Sequence, residues 1–103
     1  MYKLTVFIPE AALEVVKSAL FAAGAGSIGN YEQCCWQVKG AGQFMPLDGS
    51  NPHIGSQDNL ETVEEWRVEM VVDEERIAEV IAALKQAHPY ETPAYDVVEV
   101  LDL

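Results

Sequence analysis

At 103 residues the chain has room for one hydrophobic core and not for two, so a single domain over 1–103 is expected. Half of the residues are hydrophobic and 22% are charged, which excludes a disordered chain. The 17 acidic residues against 6 basic ones give a formal charge of -11, and such a surface repels the phosphates of nucleic acids and the anionic face of membranes.

Tyr2, Leu4, Val6 and Ile8 alternate with Lys3, Thr5 and Phe7, the period of two of a strand with one buried face. Pro9 and Glu10 suit the start of a helix, Leu13, Val16, Leu20 and Ala23 recur at helical spacing, and Gly24 and Gly26 end it. From Ile28 to Val38 the pattern predicts a second strand, with Cys34, Trp36 and Val38 on one face and Tyr31, Gln33, Cys35 and Gln37 on the other. Residues 40 to 59 hold Gly40, Gly42, Gly49, Pro52 and Gly55, which predict a long loop with a short extended piece at Gln43 to Met45. Trp66, Val68, Met70 and Val72 alternate with Arg67, Glu69 and Val71 to make a third strand. Asp73 is placed to cap a helix that begins with Glu74 and Glu75, carries Ile77, Val80, Ile81 and Leu84 on one stripe, and stops near His88 because Pro89 follows. Tyr95, Val97, Val98, Val100 and Leu101 read as a last strand.

The order β-α-β-β-α-β predicts an α+β, ferredoxin-like split βαβ sandwich: a four-stranded antiparallel sheet with both helices on one face. Phe7, Tyr31, Cys35 and Val71 would then lie on the open face, which is apolar enough to predict that a second copy of the chain covers it. No basic segment followed by an apolar run opens the sequence, and no apolar stretch approaches the ~20 residues that span a bilayer. Cys34 and Cys35 are adjacent, a poor spacing for a disulfide framework, and a cytoplasmic, reducing location is expected.

Few residues suggest chemistry. The segment from His88 to Asp96 sets two prolines among a histidine, two tyrosines and a glutamate; it reads as a rigid connection in which His88 caps the negative end of the preceding helix, or as a ligand or subunit contact. His53, His88, Cys34 and Cys35 are competent ligands for zinc or copper but lack ligand-like spacing. Cys34 or Cys35 with His53 is the sole nucleophile and base pairing, and a cysteine in a strand is ordinarily an inert apolar residue. Glu64 with Glu65, and Glu74 with Glu75, read as a strand edge and a helix first turn. The glycines from Gly24 to Gly29 follow a helix and precede a strand, the reverse of a dinucleotide-binding order.

Three segments in order, Gly26-Ser27-Ile28-Gly29-Asn30-Tyr31-Glu32-Gln33-Cys34-Cys35-Trp36, Gly40-Ala41-Gly42-Gln43-Phe44-Met45-Pro46 and His88-Pro89-Tyr90-Glu91, resemble the YqfO family across essentially the whole chain. That family is similar to the CutA-like (PII-like) domain inserted into the Nif-three-like di-metal proteins. The resemblance implies a ferredoxin-like fold, a trimer-forming tendency and a regulatory rather than catalytic role. It does not carry over the di-metal site, whose ligands in the long relatives lie in flanking segments.

The expectation is therefore a non-catalytic, oligomeric binding or regulatory module without a cofactor. It would take a small molecule or partner in subunit clefts lined by the 40 to 59 loop and the His88 to Glu91 corner. Tyr31, Trp36, Phe44, His53, His88, Tyr90 and Glu91 are the candidate residues, polar and aromatic groups on or beside loops of a rigid scaffold. Metal binding or metal tolerance through His53, His88 and the cysteines is the alternative, and hydrolysis by the cysteines with His53 a third.

Overall fold

A computed structural model describes residues 1–103. The first strand, β1 (Tyr2–Pro9), turns Leu4, Val6 and Ile8 inward, all without solvent exposure. A 3-10 turn, Glu10–Ala12, leads into α1 (Leu13–Ala22), which buries Leu13, Val16 and Leu20. β2 (Trp36–Phe44) and β3 (Glu61–Val72) form the long middle hairpin. A second 3-10 turn, Glu74–Arg76, precedes α2 (Ile77–Ala87), which buries Val80 and Leu84, and β4 (Tyr95–Glu99) closes the chain's regular structure.

The sheet order is β2-β3-β1-β4, and every adjacent pair is antiparallel. Leu4 sits opposite Met70 and Val97, and Val6 opposite Val68 and Tyr95, so one pleat of three strands makes a single apolar surface. The buried faces of α1 and α2 cover it in one continuous core. Each fully buried Leu, Ile or Val side chain contributes about 1.5–3 kcal/mol relative to exposure, which is why this slab defines the fold. The arrangement is the ferredoxin-like split βαβ sandwich that the element order predicts. No helix is long and apolar enough to cross a membrane.

The middle of the chain departs from its sequence pattern. β2 begins at Trp36, not Ile28, and runs through Gly40 and Gly42 to Phe44. Residues 28–35 instead make a tight turn in which Ile28 and Tyr31 exchange backbone hydrogen bonds of 2.9 Å. β2 is an edge strand, where glycine is tolerated because a neighbour on one side alone must be satisfied. At Gly42 an added Cβ would overlap the Glu65 carboxylate, so the missing side chain makes room for an acid. β3 correspondingly starts at Glu61, five residues before the expected Trp66, and its first four residues pair with β2 alone. This two-stranded arm helps give the molecule its long dimension of 46 Å against 24 and 23 Å.

The later start of β2 also changes the outer face of the sheet. Trp36 and Val38 pair with Glu69 and Arg67 on that face, while Gln37 and Val68 share the helix side. Tyr31 lies in the turn, 74% exposed, and Cys35 packs against the core, so neither belongs to the outer face as expected; Phe7 and Val71 do. The face is mixed rather than uniformly apolar, because Lys3 Nζ and Arg67 Nη2 reach Glu69 Oε1 at 2.9 and 3.4 Å between the hydrophobic side chains.

Two terminal expectations are also corrected. Asp73 makes no side-chain cap; its carbonyl accepts from the Arg76 amide at 3.0 Å, and the 3-10 turn satisfies what a capping carboxylate would have. β4 ends at Glu99, so Val100 and Leu101 lie beyond the ladder, although the Val100 amide still donates to the Met1 carbonyl.

Candidate functional site

The corner after α2 is built around His88. Pro89 ends the helix, and the imidazole, 5% exposed, turns inward between two backbone groups. The Tyr90 amide donates to Nδ1 at 3.1 Å. Nδ1 is therefore the acceptor, and Nε2 carries the proton that it donates to the Phe7 carbonyl at 2.8 Å. Burial holds its pKa below the usual histidine range, against the opposing pull of the Phe7 carbonyl. A neutral ring with both nitrogens engaged is a clamp between the end of β1 and the corner, not the charged helix cap of the sequence reading, and it has no lone pair free for a metal.

The clamp fixes the ring of Tyr90. Its centroid lies 4.9 Å from that of His88, 5.9 Å from Phe44 at the end of β2 and 6.3 Å from His53 in the following loop. That loop, residues 45–60, holds itself together. The Asp58 amide donates to the Pro46 carbonyl at 2.7 Å, Ser50 Oγ to the Leu47 carbonyl at 2.6 Å, and Gln57 Nε2 to the Ser50 carbonyl at 3.1 Å. It is tied to the corner across 40 residues of sequence, because the Asn51 amide donates to Glu91 Oε2 at 3.0 Å.

Between loop and corner lies a cleft of about 240 Å3 lined by Gln43, Phe44, Pro46, Ser50, Pro52, His53, Ile54, Glu65, Tyr90, Glu91, Thr92 and Ala94. Its acids are Glu65 and Glu91, and no lysine or arginine lines it. The Tyr90 hydroxyl oxygen is buried next to the Glu65 carboxylate. Burial first, then the negative charge of Glu65, push its pKa up to about 12, so it stays a neutral donor at physiological pH.

Phe44, His53, Tyr90 and Glu91 therefore meet in one cleft, with His88 behind its wall. Tyr31 and Trp36 do not join them: Trp36, 62% exposed, lines a separate cleft with Cys34, Cys35, Ile28 and Val71 at the other end of β2. The cysteines are free and apart from the His53 cleft, so the thiol and imidazole of the hydrolytic reading line different surfaces. No three of the chain's His, Cys, Asp and Glu side chains converge as a metal site would require.

Glu65 is the residue that the sequence reading passed over as part of a strand edge. With β3 started at Glu61, the period of two puts it on the outer face two places before Arg67, opposite Gly40 and beside Gly42. A glycine facing an acid across an edge ladder was the available signal.

The model of the CutA1 divalent ion tolerance protein family matches residues 55–103. A protein of Halalkalibacterium halodurans named GTP cyclohydrolase 1 type 2 homolog is 50% identical over 96 residues, which are 93% of this chain and 26% of that protein. A Bacillus cereus protein related to NIF3 superposes with a TM-score of 0.79 at 43% identity, over 93% of this chain and 24% of the other. CutA1 from Pyrococcus horikoshii, at 20% identity, shares the fold over 100% of this chain and 86% of its own, with a TM-score of 0.68. The chain thus spans about a quarter of the length of the curated relatives it matches and nearly the whole of a CutA chain. By sequence it is thus similar to a segment of the NIF3-related proteins, and its fold is CutA-like.

Proposed function

We propose that this chain is a non-catalytic regulatory domain that binds a small molecule in the cleft between the 45–60 loop and the His88–Glu91 corner. The observation that carries this is the cleft itself: the ring of Tyr90, held by a buried histidine, lines a space closed by a loop that Glu91 ties down. Mostly apolar walls with a few fixed polar groups are the usual make-up of a ligand site. Native mass spectrometry of chain purified without chelator or affinity-tag metal tests it. A retained organic mass that Tyr90→Ala and Phe44→Ala abolish supports the reading. An unliganded chain that no member of a metabolite panel stabilises thermally overturns it.

The domain acts as a homo-oligomer in the cytoplasm, a trimer by its likeness to CutA proteins. Exposed Trp36, Val38 and Val98 with half-buried Phe7 and Val71 give the outer face the apolar area that a second copy would cover. A monomeric mass throughout the micromolar range would remove this part of the reading.

Metal binding is the second reading, favoured by the match of residues 55–103 to the divalent ion tolerance family. His53, in the cleft wall, is the donor it would use; His88 is committed to backbone. Stoichiometric zinc or copper that survives dialysis and is lost in His53→Ala would establish it, and metal-free protein indifferent to added zinc or copper would end it.

A further inference from the structure

The cleft has a charge preference as well as a shape. Glu65 is half-buried in its wall, and the chain's salt bridges leave both Glu65 and Glu91 without a cationic partner. Gly42 gives up its side chain so that the Glu65 carboxylate can lie against the strand. Glu91 spends one oxygen on the Asn51 amide and keeps the other. Three rings also line it, Phe44 and His53 with centroids 5.9 and 6.3 Å from that of Tyr90, and the face of a phenyl or phenol ring is the negative part of its quadrupole. Rings and carboxylates thus select the same sign. An anionic ligand entering here would meet two carboxylates and no lysine or arginine.

We propose that the ligand is an organic ammonium ion with a compact apolar body, its charge set against Glu65 and the face of Tyr90. The proposal rests on the reading of this cleft as the ligand site and adds the charge class. At about 240 Å3 the space lies below the range of drug-sized pockets, which fits a small amine better than a nucleotide.

Because the chain carries a net charge of -11, cations collect loosely over its whole surface, and the test must be residue-resolved. Benzyltrimethylammonium, benzyl alcohol and benzoate are titrated in turn into the chain at physiological ionic strength, followed by amide and side-chain NMR shifts. The cation is expected to move Phe44, His53 and Tyr90 resonances saturably and to bind about tenfold more tightly than the alcohol, with benzoate weakest. Glu65→Gln should bring the cation-to-alcohol ratio close to unity. Glu64→Gln, on the opposite face of β3, should leave it unchanged. If alcohol or benzoate binds the cleft as tightly as the cation, the charge class is wrong while the ligand site stands. If no probe moves these resonances, both fail. Cation binding unaffected by Glu65→Gln would place it on the general acidic surface and overturn the proposal.

Discussion

The two ends of the sheet are made differently. At β1 and the inner half of β3, Leu4, Val6, Ile8, Val68, Met70 and Val72 are apolar and buried beneath the helices, with Tyr95 and Val97 of β4 packed beside them, so position in the ladder and burial reinforce each other. Along β2 and the first residues of β3 the ladder continues without a core beneath it. Glycines stand where side chains would be, and polar ties such as Asn51 to Glu91 and His88 to Phe7 hold the surroundings in place. The first region supplies stability and the second supplies a shaped space. Substitutions in the two should therefore separate folding from binding.

The largest effect is expected in the slab: Leu20→Ala or Leu84→Ala removes a fully buried side chain between helix and sheet and should cost about 2–5 kcal/mol in chemical denaturation, with no change in the cleft's selectivity in the molecules that remain folded. Gly26→Ala comes next. Its φ of +79° is left-handed, and an added Cβ would stand 2.8 Å from the Cys34 carbonyl oxygen, backbone that cannot move aside, so about 1–3 kcal/mol should be lost.

His88 offers a comparison by pH. Its folded-state pKa is lowered, so the unfolded chain binds the proton more tightly. The clamp's contribution is fully present above the ordinary histidine range and is lost as pH falls through the lower folded value. Denaturation midpoints should drop over that window in the parent chain, and the drop should flatten in His88→Gln; an identical pH profile in the two would mean that another group controls it.

Smaller changes should sharpen the contrast. Gly42→Ala displaces the end of a flexible glutamate side chain and should alter stability by less than about 1 kcal/mol, yet it should abolish the preference for an ammonium probe, because Glu65 loses its seat. Trp36→Ala, at an exposed edge position, should change monomer stability by about 0.5 kcal/mol or less while shifting the sedimentation profile towards smaller species.

The strands and helices with a clean period were legible because burial on one face writes itself into the sequence: Leu4, Val6 and Ile8, or Val68, Met70 and Val72, leave no choice of face. β2 was not legible on the same terms. An edge strand lacking a buried face has no apolar alternation to show, and Gly40 and Gly42, turn formers by propensity, became strand residues because β3 supplied a ladder to join. The candidate site was partly visible. Phe44, His53, Tyr90 and Glu91 stood out as aromatic and polar groups near prolines and loops, whereas Trp36 and Tyr31, chosen on the same grounds, lie at other places. Glu65 looked like any exposed acid of a strongly acidic chain.

Sequence alone determined the order of elements, the inner faces of the helices and of β1 and β3, and the family likeness carried by its three motifs, since each depends on short-range periodicity or on residues close together in the chain. Tertiary structure decided which groups meet: that Asn51 reaches Glu91, that His88 spans from Phe7 to Tyr90, and that Gly42 makes way for Glu65. All but the step from His88 to Tyr90 join residues 23 to 81 positions apart, and local preferences carry no record of a partner that becomes a neighbour when a hairpin and a helix corner fold over the same end of a sheet.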